Sequence, residues 1–543
     1  MRRLVVALAA VAALTWTAAA SAAGWSTSVL FTNQVASSPT TGGGYPVPAG
    51  ATAPDPGTCR LGDYNSNRSE SWIAVQPGTE DLVGVSKFFF ETFSTFYDFH
   101  LGSYTIPGGT PGVNTHIPGY DCISTGTQAM PPSWTNNTDP NVDFDTQGRA
   151  HQITLPFNAF WVNMHPNGAI GAVYSDNLGV SWTVGNDGKY LDMLPNSSSF
   201  AFGDVVDKQW VAVNQSAVSP YRDHVYAMWS VFNGNAVKIR FAKSADRGET
   251  YTPARTITPP NVLGPSTTYI YPDTDVGGTL YASVAAFAAK LGSSDAELYV
   301  ARSTDDGDTF TWFDTGARAH GTPTCCLPNT TFRDGILENF AASPTYAGHL
   351  YLTYEDWDGT QFDVKFIQST NGGMTWSAPV QVNDADPNDQ FQPSVAAGPG
   401  GAVAVAFYDR REACPSNSSI LPEDQGRTNF CIDVSLQAYK DSGAGAVPVG
   451  SNVRISEFTW DPEQPGQTIG GIDQMACASH HDPCLIRSFI GDYFGLTVSD
   501  DNIYALSVST HYPSGITGDD GGPVYYQQQV LATVPRSEFG SGY

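Results

Sequence analysis

Apolar residues in this chain come in short, nearly unbroken runs. Examples are Val225-Tyr226-Ala227-Met228-Trp229, His349 to Tyr354, Ala402 to Tyr408 and Ile503 to Val508. Runs of this length between turn residues read as strands, and unbroken runs read as strands covered on both faces. No segment sustains a helical period. The runs also recur behind a polar start. The clear starts are Glu70-Ser71-Trp72-Ile73, Asp207-Lys208-Gln209-Trp210, Glu338-Asn339-Phe340, Asp389-Gln390-Phe391 and Asp492-Tyr493-Phe494. Two fainter units lie at Asp143 to Gln152 and Tyr271 to Ala282. The pattern predicts seven units, or six if the first and last segments complete a single one.

A second pattern punctuates the first. Four times a Ser is followed by Asp or Asn two places on, then Gly, then Thr or Ser, then an aromatic. The copies run from Ser175 to Trp182, Ser244 to Tyr251, Ser303 to Phe310 and Ser369 to Trp376, with Ser-to-Ser spacings of 69, 59 and 66. The first copy reads as contracted, with Asp176 one place early. An Asp or Asn that bonds its own backbone, a Gly at positive φ and a closing aromatic describe a tight hairpin turn. A repeat of this length closing on a turn points to a radial β architecture. The expected fold is therefore all-β, a single β-propeller of four-stranded antiparallel blades over 67–535, closed by pairing of N-terminal and C-terminal strands.

The repeated turn is that of the Asp-box, or BNR repeat. Over 68–532 the chain resembles the sialidase/neuraminidase-like β-propeller superfamily, and Asp207 to Val213, Tyr408 to Arg411 and Phe489 to Leu496 look like segments of its secreted members. The resemblance implies a glycan substrate. It also implies three arginines for a substrate carboxylate, a Tyr paired with a Glu as nucleophile and an Asp as general acid/base. The Phe/Tyr-Arg-Ile-Pro motif of that family is missing, and Arg68 is the only arginine near the corresponding blade.

Residues 1–23 read as a secretory signal: Arg2 and Arg3, an apolar stretch from Leu4 to Leu14, and small residues at Ala20-Ser21-Ala22. Residues 24–66 read as an irregular lead-in and 536–543 as a flexible tail. The net charge of −27 disfavours nucleic acid and anionic membranes as partners. The expectation is a secreted monomer. In an exported chain the eight cysteines read as disulfides. Spacing favours Cys414–Cys431 and Cys477–Cys484, with Cys59–Cys122 as a third pair and Cys325 and Cys326 open. Cys477, His480, His481 and Cys484 also read as a zinc set. Asp139, Asp143 and Asp145, and Asp384, Asp386 and Asp389, are spaced like calcium loops or Asx turns. No cofactor is required by this reading, and a structural calcium ion is compatible with it.

Blade topology places the repeated turns at the lower rim and the chemistry on top. The polar starts then form an acidic ring of Glu70, Asp207, Glu338, Asp389 and Asp492, with Lys208, Arg68, Arg333, Arg410 and Arg411 near it. Carboxyl groups with basic partners can split into acid and base. The expected catalytic set is Asp207, Glu338, Tyr408, Asp492 and Tyr493, and the expected substrate-binding set is Arg333, Arg410, Arg411 and Lys208. The leading expectation is a glycoside hydrolase of exo-sialidase-like type. A polysaccharide lyase acting on a uronate and a non-catalytic glycan- or protein-binding propeller remain open beside it.

Overall fold

The unbroken runs become inner strands of blades, and the polar starts become their upper ends. The computed structural model describes residues 28–37, 67–89, 99–117, 136–157, 165–198, 203–233, 236–258, 266–287, 295–323, 326–330, 332–334, 338–416, 420–464, 467–473 and 489–543. Seven antiparallel sheets stand in a ring. Blade 1 holds Arg68–Val75, Leu82–Phe89, Phe99–Ile106 and Asn114–His116. In blade 2, Ala150–Phe157, Gly171–Ser175 and Thr183–Val184 follow a broken inner strand, Asn136–Thr138 and Asp143–Phe144. Blades 3 to 6 begin at Val205–Val213, Ser266–Thr274, Glu338–Ala342 and Gln390–Ala397.

Blade 7 is built from both ends of the chain. Gly495–Val498, Asn502–Ser509 and Gln528–Pro535 supply three strands, and Thr32–Val35 adds the outermost. Thr32 pairs with Thr533 and Val35 with Val530. The count is seven because this closing strand comes from within 24–66, the stretch expected to be irregular. Its burial is only partial, so it carries no apolar run to reveal it. Residues 536–543 dock rather than trail: Arg536 donates to the Ser499, Asp500 and Pro399 carbonyls, and the Tyr543 hydroxyl donates to the Val403 carbonyl.

Neighbouring blades bury their faces against each other. Between blades 3 and 4, Tyr226, Met228, Ile239 and Phe241 pack on Ile270, Leu280, Val284 and Ala301. Each large side chain among these contributes about 1.5–3 kcal/mol on burial. Phe310, the aromatic of the third repeated turn, stands edge-on to Phe241 at 5.4 Å and so links one blade to the next.

The four turns share one hydrogen-bond scheme. The Ser303 hydroxyl donates to Asp305, whose carboxylate accepts the Thr309 amide and hydroxyl, while Gly307 N donates to Ser303. Ser244, Asp246, Gly248 and Thr250 repeat it. In the first copy Asn177, not Asp176, accepts the Ser181 amide. That copy is in register, and Asp176 pairs with Arg149 instead.

These contacts hold the Asp305 carboxylate down to about 2. Asp305→Ala is expected to cost about 1 kcal/mol in urea denaturation, the scale of one or two lost hydrogen bonds. A depressed carboxylate stabilises only while ionised, so the wild-type advantage should fade as pH falls from about 4 through about 2. A destabilisation that persists unchanged below that window would contradict the assignment.

Candidate functional site

The upper end of the channel is shaped by a backbone device that repeats around the ring. Glu70, Asp139, Lys208, Tyr269 and Gln392 all lie at positive φ, between 42° and 56°. In blades 1, 3, 4 and 6 the ladder between the first two strands slips at this point. Such bulges turn a side chain out of the sheet alternation and toward the axis. Left-handed conformations on these residue types cost about 1–3 kcal/mol each and persist where the surroundings impose them. In blade 7 the equivalent turn is made by Gly491 at φ 101°. A Cβ at Gly491 would collide with the backbone of Glu70.

The re-aimed side chains meet as one charged cluster. Lys87 Nζ lies 2.5 Å from Glu70 and 3.8 Å from Asp139. Lys208 Nζ lies 3.7 Å from Asp139 and 3.1 Å from Asp492. Arg333 forks onto Asp492, with Nε–Oδ1 2.8 Å and Nη2–Oδ2 2.5 Å. Lys208 also lies 4.9 Å above the Tyr269 ring, and Lys87 and Arg333 each lie 5.1 Å from the ring of Phe489.

Asp207 completes the cluster. One of its oxygens accepts the Lys208 amide at 2.8 Å. Its carboxyl group lies close enough to that of Asp139 for each to shift the other. Burial and the nearby Asp139 push Asp207 up to about 7, opposed by Lys208. Lys208 and Lys87 hold Asp139 below the usual range despite burial. Arg333 and Lys208 do the same for Asp492. Among the described residues, Glu70, Asp139, Asp207 and Asp492 thus face Lys87, Lys208 and Arg333, and burial pushes the Glu70 carboxyl up against the pull of Lys87.

Below the cluster an aromatic plug fills the axis. Trp210 stands 4.7 Å from both Trp72 and Tyr271 and 5.1 Å from Tyr493, measured between ring centres. The Tyr493 hydroxyl donates to the Pro140 carbonyl at 3.2 Å. Glu338 is fully buried, and burial drives its carboxyl well above the usual range. The Ala285 amide and Ser283 side chain pull the other way, and no ion pair among the described residues includes it. Glu355 is likewise buried and raised. Its Oε2 accepts the Gln392 amide at 2.8 Å, and Asp334 adds to the shift.

The structure divides the expected site. Asp207, Lys208, Arg333 and Asp492 converge in the cluster, and Glu70 joins them. Tyr493 is in the plug and Glu338 is outside the ion pairs. Tyr408, Arg410 and Arg411 do not reach the funnel. Tyr408 is fully buried between blades 6 and 7, against Phe391 and Phe494, and its hydroxyl accepts the Val508 amide. Arg410 is fully buried, pairs with Asp389 at 3.1 Å and donates to the Pro328 and Phe430 carbonyls. Arg411 is clamped by Asp409 and Asp384. Arg68 lies against Tyr104. The sequence reading missed Lys87, Tyr269 and Gln392, because two of them depend on bulges and Lys87 comes from the second strand of its blade.

Cys414 and Cys431 are bridged, Cα–Cα 5.4 Å, across the upper connection of blade 6. Peptide mapping without reductant should recover this pair linked, and free thiols at both would contradict it. Cys59, Cys122, Cys325, Cys477, Cys484, His480 and His481 lie outside the described residues. The calcium-like spacings scatter. Asp139 is in the upper cluster, Asp143 accepts the Val213 amide, and Asp145 meets His151 and Arg247. Asp384 pairs with Arg411, Asp386 accepts from Asn388, and Asp389 meets Arg410. Among the described residues no three His, Cys, Asp or Glu are grouped to hold a metal ion, and no helix is long and apolar enough to cross a membrane.

No family model matches the chain, and no curated protein matches it. Solved structures similar to it include a Hadza microbial sialidase, at 13% identity over 82% of this chain and 74% of that one, with TM-score 0.41. Another is a PL25 ulvan lyase, at 11% identity over 72% and 81%, with TM-score 0.39. A third is the GH93 α-L-arabinofuranosidase of Fusarium graminearum, at 15% identity over 61% and 94%, with TM-score 0.33.

Proposed function

We propose that this protein is a secreted, monomeric glycan-cleaving enzyme, a glycoside hydrolase working at the upper funnel. The feature that carries the reading is Asp207 set beside Asp139 and Lys208 in the cluster, where burial and Asp139 push it up to about 7. A carboxyl group poised at neutral pH beside ionised carboxylates divides acid from base. In this reading Asp207 gives its proton to the leaving glycosidic oxygen. The Asp139–Asp207 pair, now carrying two negative charges, then takes a proton from the attacking water. Arg333 and Lys208, fixed by Asp492, hold the sugar, since a guanidinium fork suits paired oxygens. Tyr269 and Phe489 offer ring faces beside them.

One observation favours a second reading. Arg333 is the only arginine in the cluster among the described residues, and it stands near Tyr269. A lyase would use the arginine on a uronate and Tyr269 as base. A depolymerisation screen across glycan classes separates the two. Hydrolysis yields new reducing ends without ultraviolet absorbance, and elimination yields an unsaturated, absorbing product. Retained binding with no cleavage of any glycan would replace both by the binding-module reading.

A further inference from the structure

Beneath the aromatic plug the channel opens again. A cavity of about 290 Å³ lies there, walled by the inner strands of all seven blades. Trp72, Trp210, Tyr271 and Phe340 form its ceiling, with Trp72 only partly buried. Asp143, Asp273 and Asp500 stand on its walls, and among the described residues no Lys, Arg or His lines it.

Asp143 and Asp273 cannot swing away. Asp143 accepts the Val213 amide at 2.7 Å, the Phe144 amide at 2.8 Å and Gln215 Nε2 at 3.1 Å. Asp273 accepts the Ala342 amide at 2.8 Å and the Thr274 amide at 2.7 Å. Each therefore pins one blade to the next while facing the cavity. Burial, then Asp273, and to a lesser degree Asp145, push Asp143 up to about 8. Burial, with a smaller push from Asp275, brings Asp273 to about 7. Burial, with no basic side chain among the described lining residues, favours the protonated form of both groups.

Trp and Tyr rings and carboxyl groups lining one cavity, with no cation among its described lining residues, are the chemistry that recognises an organic ammonium ion. The volume is at the small end of ligand pockets, which begin near about 300 Å³. A metal ion fits less well, because the carboxylate oxygens already accept N–H groups and the ceiling offers no ligand atoms.

We propose that the lower cavity is a binding site for a small organic ammonium cation, of choline size, separate from the upper funnel. The test is isothermal titration calorimetry of the full chain with choline chloride at neutral pH, against sodium chloride and a neutral monosaccharide. The expected result is one-to-one choline binding with proton release, read as an enthalpy that varies with the ionisation heat of the buffer. Trp72→Leu should weaken it at least about tenfold. The double variant Asp143→Asn, Asp273→Asn keeps both amide acceptors and should abolish the proton release with glycan cleavage unchanged. Absence of choline binding, binding indifferent to the Asn pair, or preference for the neutral monosaccharide would each overturn the proposal. If Trp72→Leu does not fold, the Asn pair still decides.

Discussion

Asp207→Asn is expected to lower kcat/KM on the cleaved glycan by at least about a hundredfold, the usual scale for one acid–base group, with thermal unfolding unchanged. Asparagine can still accept the Lys208 amide that Asp207 accepts at 2.8 Å, and its amide can still contact Asp139. What it cannot do is give up a proton. In the wild type the acid must be protonated, so the rate should fall as pH rises through about 7, where burial and Asp139 hold Asp207. That alkaline limb should vanish in Asp207→Asn. Asp139→Asn removes a charge that raises Asp207, so the limb should move to lower pH. A wild-type rate in a folded Asp207→Asn protein would remove the upper cluster from the chemistry.

Arg410→Ala should act on the fold instead, at about 3–5 kcal/mol, the cost of leaving a buried charge without its partner. Arg410 and Asp389 are both fully buried and 3.1 Å apart. Burial lowers the guanidinium to about 10, still ionised at neutral pH. Truncation would also strand the Pro328 and Phe430 carbonyls, and Phe430 adjoins the bridged Cys431. Urea denaturation should show the loss. Arg333→Ala makes the contrast. Arg333 is about a third exposed, so its loss should weaken turnover more than stability. If Arg410→Ala unfolds like the wild type but loses activity, the placement of this arginine is wrong.

These two arginines show what was legible. Both sit in polar segments near strand ends, and spacing alone gave them the same role. Arg333 precedes blade 5 and reaches the axis at Asp492, whereas Arg410 follows the second strand of blade 6 and turns into the loop closed by Cys414–Cys431. Tyr408 and Tyr493 divide in the same way. Tyr408 lies between blades, where the Val508 amide occupies its hydroxyl, and Tyr493 lies on the axis.

By itself the sequence determined the architecture. Strands covered on both faces favour apolar runs, and the repeated turns place Gly at positive φ, so the all-β propeller class and its repeated hairpin turns were written in local pattern, with seven or six blades left open. It could not show the closing strand at Thr32–Val35, whose backbone pairs with Val530 to Thr533 without needing an apolar run. Nor could it show which charges meet. Lys87, Asp139, Lys208 and Asp492 come from blades 1, 2, 3 and 7 and converge within 4 Å contacts. They do so because left-handed bulges on Glu70, Asp139 and Lys208 re-aim side chains, a conformation these residue types do not advertise. Only ring closure brings those ends to one axis, and only their mutual burial raises Asp207 while Arg333 and Lys208 hold Asp492 ionised.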